Sequence, residues 1–174
     1  MNNQVLVTYA SKYGATIGIA EKIAGVLEEA QFVVSLLPVD QPVNLSSFQA
    51  VVLGSPIYVG RWRPEAVSFL ENNEKELTSK DVWLFSSGPT GQGDPVDILD
   101  GWEFPRQQHD LVNRISPRGI KLFHGAIDLS KLDDLEKNTI KHLKAQVGDF
   151  RDWDSIADWA KGIVKTLGES HKVL

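Results

Sequence analysis

The sequence predicts an α/β fold in which an open, parallel, five-stranded sheet is doubly wound, with helices on both faces. Apolar, β-branched segments alternate along the chain with segments of helical periodicity, which is typical of such a sheet. Residues 50–53 and 82–85 are apolar throughout, as expected for parallel strands buried on both faces. A length of 174 residues is enough to bury a sizeable core. We therefore expect a single domain over residues 1–174.

Five strands and four helices follow from these patterns. The predicted strands cover residues 5–9, 32–37, 50–54, 82–86 and 120–126. The predicted helices cover residues 16–30, 64–72, 133–146 and 153–167. Pro64 suits a first helical turn. Asp152 or Asp154 would cap the last helix and Gly168 would end it. Residues 87–119, rich in Gly, Pro and Asp, are expected to be mostly loop.

Composition excludes several classes of function. The net charge of −5 argues against nucleic-acid binding, which needs a basic surface. The absence of cysteine excludes disulfides and dithiol chemistry, so electron transfer would need a bound cofactor. The four histidines show no metal-ligand spacing, and no metal site is expected. No apolar run is long enough for a transmembrane segment and no signal pattern precedes the first strand, so we expect a cytoplasmic protein.

The junction between the first strand and the first helix is the most informative segment. The first loop, as we call it, consists of Ser11, Lys12, Tyr13, Gly14, Ala15 and Thr16. A turn of small and hydroxyl-bearing residues at a helix N-terminus presents backbone N–H groups to an anion, and the helix dipole favours negative charge there. We interpret it as a phosphate-binding loop. A plain turn in which Thr16 caps the helix is the alternative.

Two further loops follow the carboxyl ends of the third and fourth predicted strands. The second loop contains Ser55, Pro56, Ile57, Tyr58, Val59 and Gly60, and the third contains Ser87, Gly88, Pro89, Thr90, Gly91, Gln92, Gly93 and Asp94. Ligands of open α/β sheets bind beyond the carboxyl ends of the strands. One site built from the three loops is the simplest interpretation.

These loops, in this order, resemble those of the flavodoxin-like FMN proteins. The resemblance covers nearly the whole chain and is closest to the menaquinone-dependent protoporphyrinogen oxidase branch, through residues 54–60, 125–128 and 148–153. It implies strand order 2-1-3-4-5 and FMN as the cofactor. The first loop would bind the FMN phosphate, with hydroxyls donated by Ser11 and Thr16. The second and third loops would enclose the isoalloxazine ring.

The chain departs from the family patterns in two places. Flavodoxins usually carry Ser or Thr where Tyr13 stands, and Lys12 would supply positive charge instead. The oxidase branch often has a more apolar segment where residues 131–146 lie, whereas this segment carries many Lys, Asp and Glu side chains. Lys137, Lys141 and Lys144 share one helix face, and we interpret them as solvated.

Aromatic and basic residues near the loops leave two interpretations open. Tyr58 and Trp62 could cover a flavin face, or Trp62 could pack beneath the second loop. Arg61 and Arg63 could bind carboxylates of a substrate or partner, although a solvated surface is the better explanation. The segment after the third loop carries the aromatic residues Trp102, Phe104 and His109. These side chains could line a substrate pocket, or they could anchor the segment, and we favour the second interpretation.

Two functions compete on this basis. The first is a flavoenzyme that oxidises protoporphyrinogen or a similar reduced substrate and passes electrons to a quinone; no residue stands out as its general base, so no catalytic residue is assigned. The second is an electron carrier with the same FMN and a protein redox partner. A receiver-type signalling domain is excluded because no carboxylate ends the first or third strand. A dinucleotide-binding Rossmann domain fits poorly because the first loop lacks G-x-G-x-x-G spacing.

Overall fold

A parallel sheet forms the centre of the molecule, which is described here by a computed structural model over residues 3–170. Its strands are β1 (Gln4–Tyr9), β2 (Val33–Pro38), β3 (Ala50–Tyr58), β5 (Asp81–Ser87) and β6 (Gly119–Phe123), and β4 (Arg61–Trp62) pairs antiparallel with the end of β3. The parallel strands lie in the order β2-β1-β3-β5-β6. Counted without β4, this is the predicted order 2-1-3-4-5, and the predicted fold is confirmed.

Seven α-helices surround this sheet in the described part of the chain. They are α1 (Ala15–Glu29), α2 (Pro64–Asn72), α3 (Glu74–Leu77), α4 (Pro95–Ile98), α5 (His109–Ile115), α6 (Asp134–His142) and α7 (Trp153–Ser170). A short antiparallel pair, β7 (Ala126–Ile127) and β8 (Gly148–Asp149), brackets the segment that carries α6.

Two separate cores lie on the two faces of the sheet. Successive strand residues point to opposite faces, so Val5 and Val7 pack under α1 and α7, while Leu6 packs under α2, α3 and α5. α6 belongs to neither core and has no buried residue. Because the cores cover both faces, the carboxyl edge of the sheet is the place where the three loops can meet.

The segment between β5 and β6 differs from the prediction. It is mostly loop, as predicted, but it also contains the short helices α4 and α5, which were not predicted. Leu111, Val112 and Ile115 form a buried face on α5. The turn-forming residues on either side of this short helix conceal its periodicity, and packing against the sheet decides its conformation.

Four element boundaries also differ. β3 continues through residues 55–58 because β4 folds back and pairs with it. β6 ends at Phe123, before the predicted end, and α6 is shorter than predicted because Asp133 caps its start and Lys144 adopts φ 52° just beyond its end. α7 continues through Gly168, so the predicted stop there is wrong. Asp152 accepts a hydrogen bond from Ser155 N at 3.0 Å, which makes it the cap of α7.

No helix within residues 3–170 is long and apolar enough to cross a bilayer. The same residues contain no group of three or more His, Asp and Glu side chains arranged to hold a metal ion. His171 lies outside the described residues.

Candidate functional site

The first loop exposes a set of unpaired backbone donors. Gly14 caps α1 with φ 93°, a conformation that favours glycine. Ser11 Oγ accepts a hydrogen bond from Gly14 N at 3.1 Å, which holds the turn closed. Among residues 3–170, no acceptor is found for the N–H groups of Tyr13, Ala15 and Thr16. These N–H groups lie at the positive end of the α1 dipole, which is the arrangement of donors that an anion-binding turn requires.

The second loop is a hairpin tip instead of a free loop. Tyr58 pairs with Arg61, and the two residues between them, Val59 and Gly60, have φ 50° and 69°. A positive φ at both central residues is the pattern of a type I′ turn, which matches the twist of a hairpin. Ser55 is fully buried, and its Oγ donates to Pro56 O at 2.9 Å and accepts from Arg63 N at 3.1 Å. The hydroxyl of Ser55 therefore stabilises the hairpin.

Tyr58 and Trp62 have different environments. Tyr58 is 40% exposed, and partial burial raises its pKa to about 12. Trp62 is buried, donates from Nε1 to Ser86 Oγ at 2.8 Å, and packs against Phe104 with ring centroids 4.8 Å apart. The structure therefore places Trp62 beneath the second loop, whereas the Tyr58 ring borders the site.

The third loop contains an orphaned polar atom. The Oγ1 of Thr90 is buried and, among the described residues, has no hydrogen-bond partner. Gly91 and Gly93, which follow it, have φ 134° and 101°. The Gly88 N–H is used within the fold, since it donates to Phe123 O at 3.1 Å. A buried hydroxyl without a partner is costly, and this one lies in the loop that follows β5 at the carboxyl edge of the sheet.

Contacts between the loops bring them into one site. Thr16 Oγ1 and Ser87 Oγ, both buried, are 2.9 Å apart and join the first loop to the third. The rings of Tyr13 and Tyr58 meet edge to face across the first and second loops, with centroids 6.3 Å apart. Ile57 lies beneath Gly88, so that a Cβ at Gly88 would be 3.3 Å from Ile57 Cδ1. The three loops are therefore adjacent, as the sheet topology requires.

The segment between β7 and β8 borders the same site, which sequence reasoning missed. Glu136 on α6 contacts the Lys12 ammonium and the Tyr13 hydroxyl. Lys131 Nζ donates to Tyr13 O at 3.2 Å. These hydrogen bonds, first from Lys12 and then from Tyr13, lower the pKa of Glu136 to about 2, and the same contact raises the pKa of Lys12. The structure shows a capping box between Asp133 and Glu136 at the start of α6, a pattern that marks a helix start in sequence, but no local pattern indicates contacts with residues more than a hundred positions away.

Arg151 supports the start of α1 from the same side. Its Nη1 donates to Ala15 O at 3.2 Å, and its guanidinium lies over the Trp153 ring, 4.6 Å from the centroid. Asp149 receives a two-point hydrogen bond from Arg151, which lowers the pKa of that carboxyl. Arg151 therefore fixes the backbone of the first loop and leaves the N–H groups of that loop free.

The remaining candidates are an exposed residue beside the second loop and residues with partners within the fold. Arg63 pairs with Glu65, and Arg61 is exposed. Phe104 is buried against Trp62, and His109 Nε2 lies 3.2 Å from Phe104 O, as expected of anchors. With Trp102 they also border an open cavity of about 530 Å³ beside α5.

The sequence model of a family described as the flavodoxin domain matches residues 6–154. This chain belongs to the flavodoxin domain family. A search of curated proteins finds no match.

Solved structures share the fold of this flavodoxin domain. Flavodoxin 2 from Bacillus cereus is 19% identical with a TM-score of 0.61, and the match covers 94% of this chain and 99% of that one. Rubredoxin:oxygen oxidoreductase from Desulfovibrio gigas is 15% identical with a TM-score of 0.63; the match covers 96% of this chain but only 36% of that larger protein. A Fusobacterium nucleatum flavodoxin mutant bound to flavin mononucleotide is 20% identical with a TM-score of 0.50, covering 91% of this chain and 93% of that one.

These comparisons confirm part of the sequence-based expectations. The flavodoxin-like family is confirmed, and the expected cofactor, FMN, is the one bound by the Fusobacterium nucleatum flavodoxin mutant. None of these findings points to the protoporphyrinogen oxidase branch.

Proposed function

We propose that this chain binds FMN in the three-loop site and carries electrons between redox proteins. FMN, when bound, supplies a redox-active isoalloxazine ring that can take up and release electrons. The chain's own residues hold and orient that group. The unpartnered hydroxyl of Thr90 is the observation that carries the proposal.

The donor set fits a phosphate at one end of the site and a polar ring edge at the other. The unpaired N–H groups of Tyr13, Ala15 and Thr16 suit a phosphate at the start of α1. Because the Lys12 charge is paired with Glu136, the helix end and these amides would bind the phosphate. At the third loop, Thr90 offers a buried hydroxyl to a heterocycle with hydrogen-bonding atoms at its edge. The Tyr58 ring lies between them as a platform for an aromatic system.

An electron carrier is the better of the two proposals for the following reason. The length of the segment between β5 and β6 would favour a flavoenzyme if this segment covered the site, because an electron carrier needs an exposed flavin edge. Leu111, Val112 and Ile115 of this segment pack instead into the core beneath the sheet. The hairpin tip that borders the site is exposed, with Val59 at 84% exposure. A partner protein could therefore approach the edge of an isoalloxazine ring bound there. The net charge of −5 favours a partner with a basic surface.

Two measurements test the proposal, one of FMN binding and one of electron transfer to a partner protein. The FMN-free protein is titrated with FMN, and quenching of flavin fluorescence is expected to saturate at one FMN per chain. The reduced holoprotein is then mixed with cytochrome c, a basic one-electron acceptor. We expect rapid reduction whose rate falls steeply as salt increases, because screening weakens attraction between opposite charges.

Protoporphyrinogen with a menaquinone analogue is the competing assay. Sustained turnover of protoporphyrinogen, together with slow transfer to cytochrome c, would overturn the carrier proposal in favour of the enzyme. A protein that takes up no FMN even in excess would overturn both.

A further inference from the structure

His124, which directly follows β6, contacts the third loop at two points. Its Nδ1 lies 3.0 Å from Pro89 O and its Nε2 lies 2.8 Å from Gly93 O. The residue is 8% exposed. The two carbonyls flank Thr90, Gly91 and Gln92, so the ring bridges both ends of the stretch that carries the orphaned hydroxyl.

Only one protonation state of the ring satisfies both contacts. A carbonyl oxygen accepts hydrogen bonds and cannot donate, so each ring nitrogen must carry a proton to bond its carbonyl. A neutral imidazole has one N–H, whereas the imidazolium has two. In the neutral form, a buried nitrogen lone pair would face a buried carbonyl oxygen, which is unfavourable.

The ring of His124 joins the two ends of a stretch of the third loop that contains two glycines. Gly91 and Gly93 have a backbone conformation that side chains rarely adopt, and a Cβ at Gly93 would meet nothing within 4 Å. Apart from the ring, Pro89 O accepts only from Gly125 N, at 3.1 Å, among the described residues. Because the peptide bonds are trans, the N–H of Thr90 points away from the carbonyl that meets the ring. A hydrogen bond from a cation to that carbonyl polarises the peptide and strengthens its N–H as a donor.

We propose that His124 is a positioning residue whose protonated ring clamps residues 89–93 and so holds Thr90 and the amides beside it ready for the edge of a heterocyclic ligand. The clamp is complete when the ring is protonated and loses one of its two hydrogen bonds when the ring is neutral. The bridge made by the ring is a property of the FMN-free protein. Its effect on FMN affinity rests on the proposed function.

Charged groups around the ring have other partners or no contact with it. Asp94, next to Gly93, accepts from Val96 N at 2.8 Å. Asp149 of β8 is paired with Arg151. Asp97 of α4, Lys121 of β6, Asp81 of β5 and Asp158 of α7 have no described hydrogen bond or ion pair with the ring, and the last two are paired with Arg118 and Lys161. The described hydrogen bonds of the ring are therefore those to the two carbonyls.

The first test uses the FMN-free protein labelled with ¹⁵N at histidine. At pH 5.5, we expect both ring N–H groups of His124 to appear as slowly exchanging signals, because both are buried in hydrogen bonds. His142 is the internal control, since it is exposed and has a single carbonyl partner, Asn138 O, at 2.8 Å. A neutral His124 ring at this pH, or a ring whose N–H protons exchange as fast as those of His142, would overturn the proposal.

The second test compares FMN affinity in wild type, His124→Gln and the control His142→Gln at pH 8 and pH 5.5. The ratio of the dissociation constants of variant and wild type is measured at each pH, so that ionisation of the FMN phosphate cancels. For His124→Gln, we expect this ratio to rise about tenfold as pH falls, the size of one hydrogen bond to a charged group. For His142→Gln, it is expected to stay near one at both values.

The outcomes distinguish this inference from the proposed function. A His124→Gln ratio that is raised equally at both values would show a purely structural role and would overturn the clamp. If wild type binds no FMN, the proposed function fails, and the ring spectra of the FMN-free protein still decide whether His124 is a clamp. If His124→Gln does not fold, those wild-type spectra decide the matter in the same way.

Discussion

The side chain of Thr90 is expected to have opposite effects on the stability of the protein and on ligand binding. Its buried hydroxyl lacks a partner among the described residues, and such a group costs about 1–3 kcal/mol. Replacing it with the isosteric valine removes that cost from the protein and removes a donor from the site. Stability and binding should therefore respond in opposite directions.

For Thr90→Val, we expect FMN affinity to fall about tenfold while the free energy of unfolding of the FMN-free protein is unchanged or higher. Fluorescence titration and urea unfolding measure the two quantities. Thr139→Val is the control, since Thr139 is exposed on α6 and bonds only Leu135 O within its own helix. A Thr90→Val protein that unfolds more easily and binds FMN normally would show that the hydroxyl serves the fold.

Glu136 supplies a prediction on pH. The Lys12 and Tyr13 hydrogen bonds lower the pKa of Glu136 from 4.5 to about 2. A lowered carboxyl pKa means that the stabilising contact is fully present above about pH 4.5 and is lost as pH falls towards 2. Since Lys12 is exposed and Glu136 is only partly buried, the loss affects the attachment of α6 much more than global stability.

We therefore expect the carboxyl ¹³C signal of Glu136 to titrate with a midpoint near 2, and the Lys12 side-chain signals to move with it. In Glu136→Gln, the Lys12 signals should show no such transition. A Glu136 midpoint above 4 would mean that α6 is not held by Lys12.

The limits of sequence reasoning are clearest for these residues. The turn at Gly14 with its unpaired N–H groups was predictable, because its pattern lies within six consecutive positions. The burial of the Thr90 hydroxyl was not, because it depends on a loop shape held by His124, more than thirty positions away. The Glu136 contact spans 124 positions and depends on where a surface helix docks.

At the scale of elements, Gly54 and Phe85 explain how β3 and β5 pack. A Cβ at Gly54 would lie 2.0 Å from the Phe85 ring, which is fully buried. The Phe85 ring lies across β3 at Gly54, where only a residue without a Cβ leaves room for it. This close approach lets Phe85 reach the core beneath α1 and α7.

Gly54→Ala should therefore lower the free energy of unfolding by about 3 kcal/mol or prevent folding, as overpacking does. Gly25→Ala is the matched control, because Gly25 lies within α1 and a Cβ there meets nothing within 4 Å. This control should raise stability by about 0.5–1 kcal/mol through helix propensity. Urea unfolding measures both variants, and equal effects would mean that the Phe85 ring moves aside freely.

Sequence reasoning succeeded for elements with a continuous pattern and failed for short ones. The apolar strands and α1 were predictable because their pattern extends over several turns or a whole strand. α5 was not, because seven residues among turn formers carry too little periodicity. β3 was expected to stop at Gly54, and its continuation depends on pairing with β4, which a local pattern does not reveal.

At the scale of the whole molecule, ligand binding and stability are coupled. A ligand that binds only the folded chain stabilises it by about 2.7 kcal/mol at a hundredfold excess over its dissociation constant. For a chain of this size, that corresponds to an increase in Tm of about 5–10 °C. We expect this increase with FMN in a calorimetric scan and a much smaller one with riboflavin at equal concentration, because riboflavin lacks the phosphate. Equal increases would show that the first loop does not contribute to binding.

The overall topology was predictable because it follows from the alternation of strands and helices. The same topology brings the ends of β1, β3 and β5 together, which is why loops far apart in sequence were correctly assigned to one edge. The position of α6 was not predictable, because no apolar face fixes it to either core.

The hydrogen bond between Thr16 and Ser87 has a consequence for the speed of recognition. It lies beneath the site and joins the first turn of α1 to the last residue of β5, so the two ends of the pocket cannot separate without breaking it. The width of the pocket is therefore the same before and after a ligand binds. Little rearrangement of the protein is needed, so the entropic cost of binding is small and association is not slowed. Association should then be limited by diffusion and orientation, and crystals grown with and without the guest should superimpose along this edge of the sheet.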